Sequence, residues 1–345
     1  MAAALRIGAP EVELLFVGST HGPEGQLAQH DGIRFIGLPS RSLGGKLSLS
    51  NISAMFKLAM AVPRAIGLLR RERPDIVIGT GGYTSAAVMI AQSLRRGPGL
   101  VHEQNAVPGR TNLLLSRFVR KVCVTYEESA KYFPEGKVEL TGLPIRAEFF
   151  QPRDKRQARE KLGLNPDMFT IFVCGGSQGA RKVNSLVLGS AKALLADGVQ
   201  ILHQTGEKNY DDVKASAPAG LGSYRVVAYL EKPADAYWSA DLVVCRSGAS
   251  TLAELAAAGV PGILIPYPFA YANHQEANAR AFGDSGAAIV MNENATTSEE
   301  FVRRVKGLRD DPEILRSMAA ATTKLAVPDA AENVIRVAKR IVSRD

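Results

Sequence analysis

Long apolar runs are missing from this 345-residue chain. No stretch approaches the roughly 20 uninterrupted apolar residues of a helical membrane span, and Met1-Ala-Ala-Ala-Leu-Arg6 lacks the order of a signal peptide, so the cytoplasm is the expected compartment. Cysteine is scarce: Cys123, Cys174 and Cys245 are odd in number, have no CxxC spacing and each sit in an apolar strand-like run. That pattern indicates neither a disulfide framework nor a zinc site and predicts three buried strand thiols. There is no Asp-x-Asp motif and no His, Cys and carboxylate cluster at metal-ligand spacing, so no metal and no cofactor are expected. Aromatics make up only 6% of residues, and no helix-turn-helix, zinc-finger or RNP-type signature is present, which makes nucleic acid the least expected partner.

What is present is positive charge and alternation. The formal net charge is +8, compatible with nucleic acid, an anionic membrane surface or a polyphosphate ligand. Residues 1–150 carry 18 Lys and Arg against 12 Asp and Glu, so the excess lies mainly in the first half. Short β-branched runs at Glu11 to Val17, Asp75 to Gly79, Gly99 to Glu103 and Lys121 to Thr125 alternate with helical stretches near 49–72, 84–95 and 109–118. A second series of strands is expected near 169–174, 199–203, 224–228, 241–245 and 261–265, with helices from about 297 onward.

Alternation of this kind predicts an α/β protein of two doubly wound parallel-sheet domains, with ligand in a cleft at the strand carboxyl ends. The boundaries are placed at 1–145 and 146–345, with the terminal helix free to pack back on the first domain; the polar Gln151-Pro-Arg-Asp-Lys-Arg156 suits a linker. Ala2 to Ile7 reads as the tail of a helix, so the strand and glycine-rich turn that normally open such a domain are expected to be absent from its start.

Four segments carry chemistry. Phe169 to Cys174 breaks into Gly175-Gly-Ser-Gln-Gly-Ala180 where an amphipathic helix begins, either a phosphate turn, since glycines admit close approach and the first helical N–H groups point outward, or a tight turn with nothing bound. Ile78 to Ser85 repeats that logic, with Thr84 and Ser85 as alternative helix caps. Val101-His102-Glu103-Gln104-Asn105 gathers four polar side chains at a strand end, His102 as a base or as an oriented neighbour of Glu103. In Val243 to Glu254, a strand ends in Arg246-Ser-Gly, small hydroxyl residues form the first helical turn, and Glu254 is placed to accept hydrogen bonds from a vicinal diol such as a ribose. The competing reading is a capping box between Ser250 and Glu254, although its acid belongs three residues after the cap, not four.

Two further stretches have open readings. Pro266 to Asn278 sets a proline-rich loop before a polar helix start, where Gln275 could meet sugar hydroxyls or solvent. Ser48 to Arg73 joins Ile52, Met55, Phe56, Leu58, Met60, Ile66 and Leu69 to Lys46, Lys57, Arg64, Arg70, Arg71 and Arg73, as a helix at an anionic membrane interface or as a buried helix with a basic end.

Taken in order, Gly79-Thr-Gly-Gly-Tyr83, His102-Glu-Gln-Asn105, Gly175-Gly-Ser-Gln-Gly-Ala180, Cys245-Arg-Ser-Gly-Ala249 with Glu254, and His274-Gln275 with Asn278 span nearly the whole chain. They resemble the MurG family, the bacterial N-acetylglucosaminyltransferases of peptidoglycan synthesis within the GT-B glycosyltransferases. The resemblance implies transfer of GlcNAc from UDP-GlcNAc to the 4-hydroxyl of MurNAc in undecaprenyl-diphosphate-linked MurNAc-pentapeptide, with inversion and without metal. It places the enzyme peripherally on the inner face of the cell membrane. It also implies that Arg146 and Ser177 serve the diphosphate, that the Leu230 backbone pairs with uracil, and that Glu254 holds the ribose. Ala249, Ser250, Thr251, Leu252 and Ala253 would line the diphosphate and sugar, with Gln275 and Asn105 completing the donor contacts. Tyr83, His102, Glu103 and Asn112 would face the acceptor.

The family pattern opens with a strand and a Gly-Gly-Thr-Gly-Gly-His loop that this sequence does not contain. Glu103 and His102 are therefore the candidate bases. A UDP-GlcNAc-binding protein without turnover and a UDP-sugar epimerase of the same architecture are the alternatives.

Overall fold

A computed structural model describes residues 1–8, 11–20, 24–38, 49–151, 154–176, 179–218 and 222–343, with the side chains of 49–59 and of Tyr83 outside the described set. The chain forms two compact units, one of Met1–Pro144 with Asp329–Asp345, the other of Ile145–Pro328.

In the first unit the strands are β1 (Leu15–Ser19), β2 (Arg34–Leu38), β3 (Val77–Gly79), β4 (Gly99–Glu103), β5 (Lys121–Val124) and β6 (Val138–Leu140). Its helices are α1 (Ala2–Gly8), α2 (Glu24–His30), α3 (Leu49–Glu72), α4 (Gly82–Leu94) and α5 (Arg110–Leu115). Strands β3 to β6 make one parallel sheet in sequence order, and β1 pairs β2 in a separate parallel sheet. Val17 of β1 and Val77 of β3 both pack on the cluster of Leu38, Ala65, Leu69, Val88 and Ala91, yet among the described residues no ladder joins the two strands.

In the second unit α6 (Lys155–Lys161) leads into β7 (Phe169–Cys174), α7 (Arg181–Ala196), β8 (Val199–Gln204), α8 (Tyr210–Ser216) and β9 (Tyr224–Val227). There follow α9 (Ala234–Ser239), β10 (Leu242–Cys245), α10 (Ala249–Ala258), β11 (Gly262–Leu264), α11 (His274–Asp284), β12 (Ala288–Val290), α12 (Ser298–Arg309) and α13 (Pro312–Lys324). The six strands form one parallel sheet in the order β12-β11-β10-β7-β8-β9. Central strands such as Val199–Gln204 and Leu242–Cys245 are buried along their whole length, the mark of parallel strands covered on both faces. Phe172, Leu202, Val243 and Leu252 belong to the core on one side, and Ile171, Val173, Ile201 and Phe301 to that on the other.

The last helix, α14 (Ala330–Val342), returns to the first unit. Val334, Val337, Ala338 and Ile341 pack on Leu100 and Cys123, while Arg120 donates to the Ile341 carbonyl at 3.2 Å and Asn333 to that of Thr141 at 3.3 Å.

Strands β4 and β7 have the predicted bounds. The first strand starts at Leu15, not Glu11, and β2, β6 and β12 lie outside the predicted set. The last two are three-residue edge strands whose backbone pairing carries little sequence signal. In α3 the described residues bury Ala61, Ala65, Leu68 and Leu69 at helical spacing, the pattern of a core helix. Met60 is exposed, and Lys46, Ile52, Met55, Phe56, Lys57 and Leu58 fall outside the described side chains. No helix among the described residues is long and apolar enough to cross a membrane.

Candidate functional site

The order of the second sheet reverses between β7 and β10, since the chain runs from β7 outward to β8 and β9 and then crosses to β10 on the other side. These neighbours pair in register, with Cys174 opposite Cys245, so their glycine turns leave the sheet side by side at the carboxyl edge. A crevice at such a switch point is where doubly wound sheets bind ligands.

The first turn requires glycine. A Cβ on Gly175 would stand 2.5 Å from the Ala180 nitrogen, and one on Gly179, at φ +73°, would stand 2.2 Å from the Thr205 carbonyl oxygen. That carbonyl is itself held by Asn184 at 3.1 Å. Asn184 in turn accepts from His203 Nε2 at 3.0 Å, and the Tyr224 hydroxyl donates to Nδ1 at 2.7 Å. Burial holds His203 down near pH 4, so the ring is neutral in this network. Ser177, expected at the diphosphate, lies outside the described residues.

The second turn is Arg246-Ser-Gly, with Gly248 as the residue before α10. Neither α7 nor α10 carries a side-chain cap among the described residues, which leaves first-turn N–H groups for a ligand anion. The capping-box reading of Ser250 and Glu254 is therefore corrected: the cap position is a glycine, and Ser250 is an exposed residue inside the first turn. Leu252, Leu255 and Ala256 turn to the core, whereas Ser250 is exposed and Glu254, four residues on along the same side of the helix, is half-buried. Ala249 is buried, and Thr251 and Ala253 are half-buried beside them.

Glu254 accepts from the Tyr237 hydroxyl at 3.2 Å. Burial raises its pKa, against the effects of that hydrogen bond and of Arg146. Arg146 donates to the Glu231 carbonyl at 2.9 Å, which ties it to the 230–231 stretch beyond β9, and Leu230 packs on the core.

A third wall comes from residues 265–278. Arg246 donates to the carbonyls of Ile265 at 2.9 Å and Pro266 at 3.1 Å, pairs with Glu293, and stands 5.4 Å from the Tyr267 ring centroid. The Gln275 side-chain oxygen accepts from the Tyr267 N–H at 2.9 Å, the Ser247 hydroxyl donates to the Gln275 carbonyl at 2.7 Å, and Asn278 donates to the Ser247 carbonyl at 3.1 Å. The structure thus brings Arg246, Ser247, Gln275 and Asn278 into one polar assembly next to Glu254's helix. The partner roles of Tyr237 and Glu293 had no sequence signal, because each meets its partner only through the fold.

The first unit gathers a separate cluster at the end of β4. His102 and Glu103 are fully buried. His102 Nε2 donates to the Gly142 carbonyl at 2.8 Å and Nδ1 faces the Gln104 amide at 3.3 Å; burial lowers its pKa, so the imidazole is neutral. Glu103 accepts from the Asn105 backbone at 3.0 Å and side chain at 3.2 Å, from the Gly109 N–H at 3.1 Å and from Asn112 at 2.8 Å. These bonds hold the 103–112 loop in one shape. Asn112 is buried with its Oδ1 unmatched, near Gly81, the residue before α4. Gly81 is the cap, at φ +96°, so Thr84 and Ser85 are not capping residues. Tyr83 is the second residue of α4, with its side chain outside the described set. Among the described residues no group of three or more His, Cys, Asp and Glu is placed to hold a metal ion.

Known proteins match this chain over nearly its whole length. Residues 170–334 match the glycosyltransferase family 28 C-terminal domain and residues 1–124 its N-terminal domain. The UDP-N-acetylglucosamine--N-acetylmuramyl-(pentapeptide) pyrophosphoryl-undecaprenol N-acetylglucosamine transferase of Desulfitobacterium hafniense strain Y51 is 42% identical over 335 residues, 95% of this chain and 90% of that protein. The transferase of the same name from Desulforudis audaxviator is 38% identical over 343 residues, 97% of this chain and 92% of its relative. The crystal structure of MurG from Acinetobacter baumannii superposes with a TM-score of 0.77 at 29% identity, covering 98% of this chain and 94% of that one, and gives the architecture as GT-B. The chain belongs to glycosyltransferase family 28, in the branch of the peptidoglycan N-acetylglucosaminyltransferases.

Proposed function

We propose that this protein transfers GlcNAc from UDP-GlcNAc to the 4-hydroxyl of MurNAc in undecaprenyl-diphosphate-linked MurNAc-pentapeptide, with inversion and without metal. The observation that carries this reading is the pair of glycine turns leaving registered strands β7 and β10, with Glu254 one turn into α10. The acceptor oxygen attacks C1 as the bond from C1 to the UDP oxygen breaks, and the hydroxyl proton passes to a base. Departing UDP gains negative charge, which the amino ends of α7 and α10 and the Arg146 guanidinium offset.

On the donor side Arg146 and Ser177 serve the diphosphate, the Leu230 backbone the uracil, Glu254 the ribose, and 249–253 with Gln275 and Asn105 the remaining contacts. On the acceptor side Tyr83 and Asn112 face the incoming lipid. Proton removal by Glu103 requires the acceptor hydroxyl to replace one of its four present donors, and His102, the other candidate base, would have to give up its bond to the Gly142 carbonyl or its contact with Gln104. The excess of Lys and Arg in residues 1–150 supports peripheral contact with the anionic inner face of the cell membrane.

The test is incubation of the full chain with radiolabelled UDP-GlcNAc and the lipid-linked acceptor in EDTA. The expected result is a β-linked disaccharide on the lipid and release of UDP. Donor binding without transfer, or isomerised sugar without transfer, overturns the reading. Cosedimentation with phosphatidylglycerol vesicles but not phosphatidylcholine vesicles is expected for the membrane contact, and equal recovery with both overturns that part.

A further inference from the structure

Tyr237 lies on α9 with 2% of its surface exposed, and its ring is held edge-on by Phe149 at 5.4 Å and Phe172 at 5.2 Å between centroids. A phenol this deep needs a partner for its one polar atom. It has two: Glu254 Oε2 at 3.2 Å, and the Cys174 thiol at 3.9 Å. With its proton given to the carboxylate, the hydroxyl is left to accept from the thiol.

The consequence falls on Glu254. A glutamate side chain on a helix samples several rotamers, and ordering it costs rotamer entropy when a ligand binds. Here one carboxylate oxygen already accepts from the hydroxyl of a buried ring that Phe149 and Phe172 both meet edge-on. Among the described residues no hydrogen bond is made to the other oxygen. We infer that Tyr237 is a positioning residue for the donor nucleoside, its hydroxyl holding the Glu254 carboxylate so that the remaining oxygen meets the ribose diol. This rests on the reading that Glu254 takes the ribose.

The effect is specific to the diol, which separates positioning from general support of the fold. UDP and 2′,3′-dideoxy-UDP are titrated calorimetrically into the full chain, its Y237F, E254A and E254D variants and the Y237F/E254A double variant. Phe keeps the ring packing and removes only the hydroxyl. The expected result is that Y237F weakens UDP about 3- to 10-fold and leaves dideoxy-UDP unchanged, the loss of roughly one hydrogen bond's contribution. E254D, whose shorter side chain cannot reach the hydroxyl, is expected to lose most of the preference for UDP without touching Tyr237, and Y237F/E254A to match E254A alone.

Equal weakening of both nucleotides by Y237F, full UDP preference in Y237F or E254D, or additive losses in the double variant overturns the positioning role. Unchanged preference for UDP in E254A instead overturns the ribose reading beneath it, so the two failures are told apart.

Discussion

Cys174 and Cys245 face each other across the β7–β10 ladder as the last residues of their strands. Because parallel strands in register end at one level, the turns that follow them, Gly175 onward and Arg246 onward, emerge together. The thiols themselves are buried and unpaired as disulfides. They close two apolar strands at the level where two helix amino ends begin.

Glu254→Ala is expected to raise the KM for UDP-GlcNAc about 10- to 100-fold, the loss of a charge-assisted hydrogen bond of roughly 1.5–3 kcal/mol, with a smaller change in kcat. Initial rates at saturating acceptor check this. A fall confined to kcat would place Glu254 elsewhere in the reaction.

Gly179→Ala puts a methyl group 2.2 Å from the Thr205 carbonyl oxygen at φ +73°. The backbone strain alone is about 1–3 kcal/mol, and relief by movement distorts the turn that begins at Gly175, so stability to urea and UDP affinity are expected to fall together. Gly307→Ala is the control. That glycine is exposed within α12, with nothing within 4 Å of an added Cβ, and the substitution is expected to stabilise by up to about 1 kcal/mol.

Arg246→Met leaves Glu293 buried beside no cation and frees the Ile265 and Pro266 carbonyls. A loss of about 3–5 kcal/mol in urea denaturation is expected, with most of it regained in Arg246→Met/Glu293→Met, since removing both charges removes the uncompensated one. The double variant is still expected to bind UDP-GlcNAc weakly, because the loop that seats Gln275 has lost its anchor. Full affinity in the double variant would falsify that anchoring role.

His203 titrates near 4 in the folded protein because burial disfavours the imidazolium, against an ordinary value of 6.5. Between those values the unfolded chain takes up a proton that the folded chain does not. Stability from this group is therefore complete above pH 6.5, declines by about 3 kcal/mol as the pH falls toward 4, and is level below it. Denaturation midpoints across pH 4–7 check this through the difference between the protein and His203→Gln, whose slope over the window is expected to be shallower.

Local pattern and tertiary context divided the work unevenly. Phe169–Cys174 and Gly99–Glu103 were readable because buried parallel strands must be apolar or β-branched along their length and stop at glycine or polar residues. Val138–Leu140 and Ala288–Val290 were not, because three residues at a sheet edge are selected by the neighbour they pair with. Ser250 near Glu254 resembled a capping box, but α10 begins at Ala249, one residue before Ser250, with Gly248 at the cap. His102 and Glu103 stood out as polar residues at a strand end, yet only the folded loop shows Asn105, Gly109 and Asn112 converging on one carboxylate.

From the sequence by itself follow the alternation that makes two parallel sheets, the glycine turns at strand ends and the ordered set of motifs that marks the family. These depend on neighbours within a few residues, where period and turn chemistry are written directly. Only the tertiary structure decided that β7 and β10 lie side by side, that Tyr237 reaches Glu254 and that Arg246 meets Glu293. Such contacts join positions far apart in the chain, and their geometry is set by sheet order and helix packing, which no local pattern encodes.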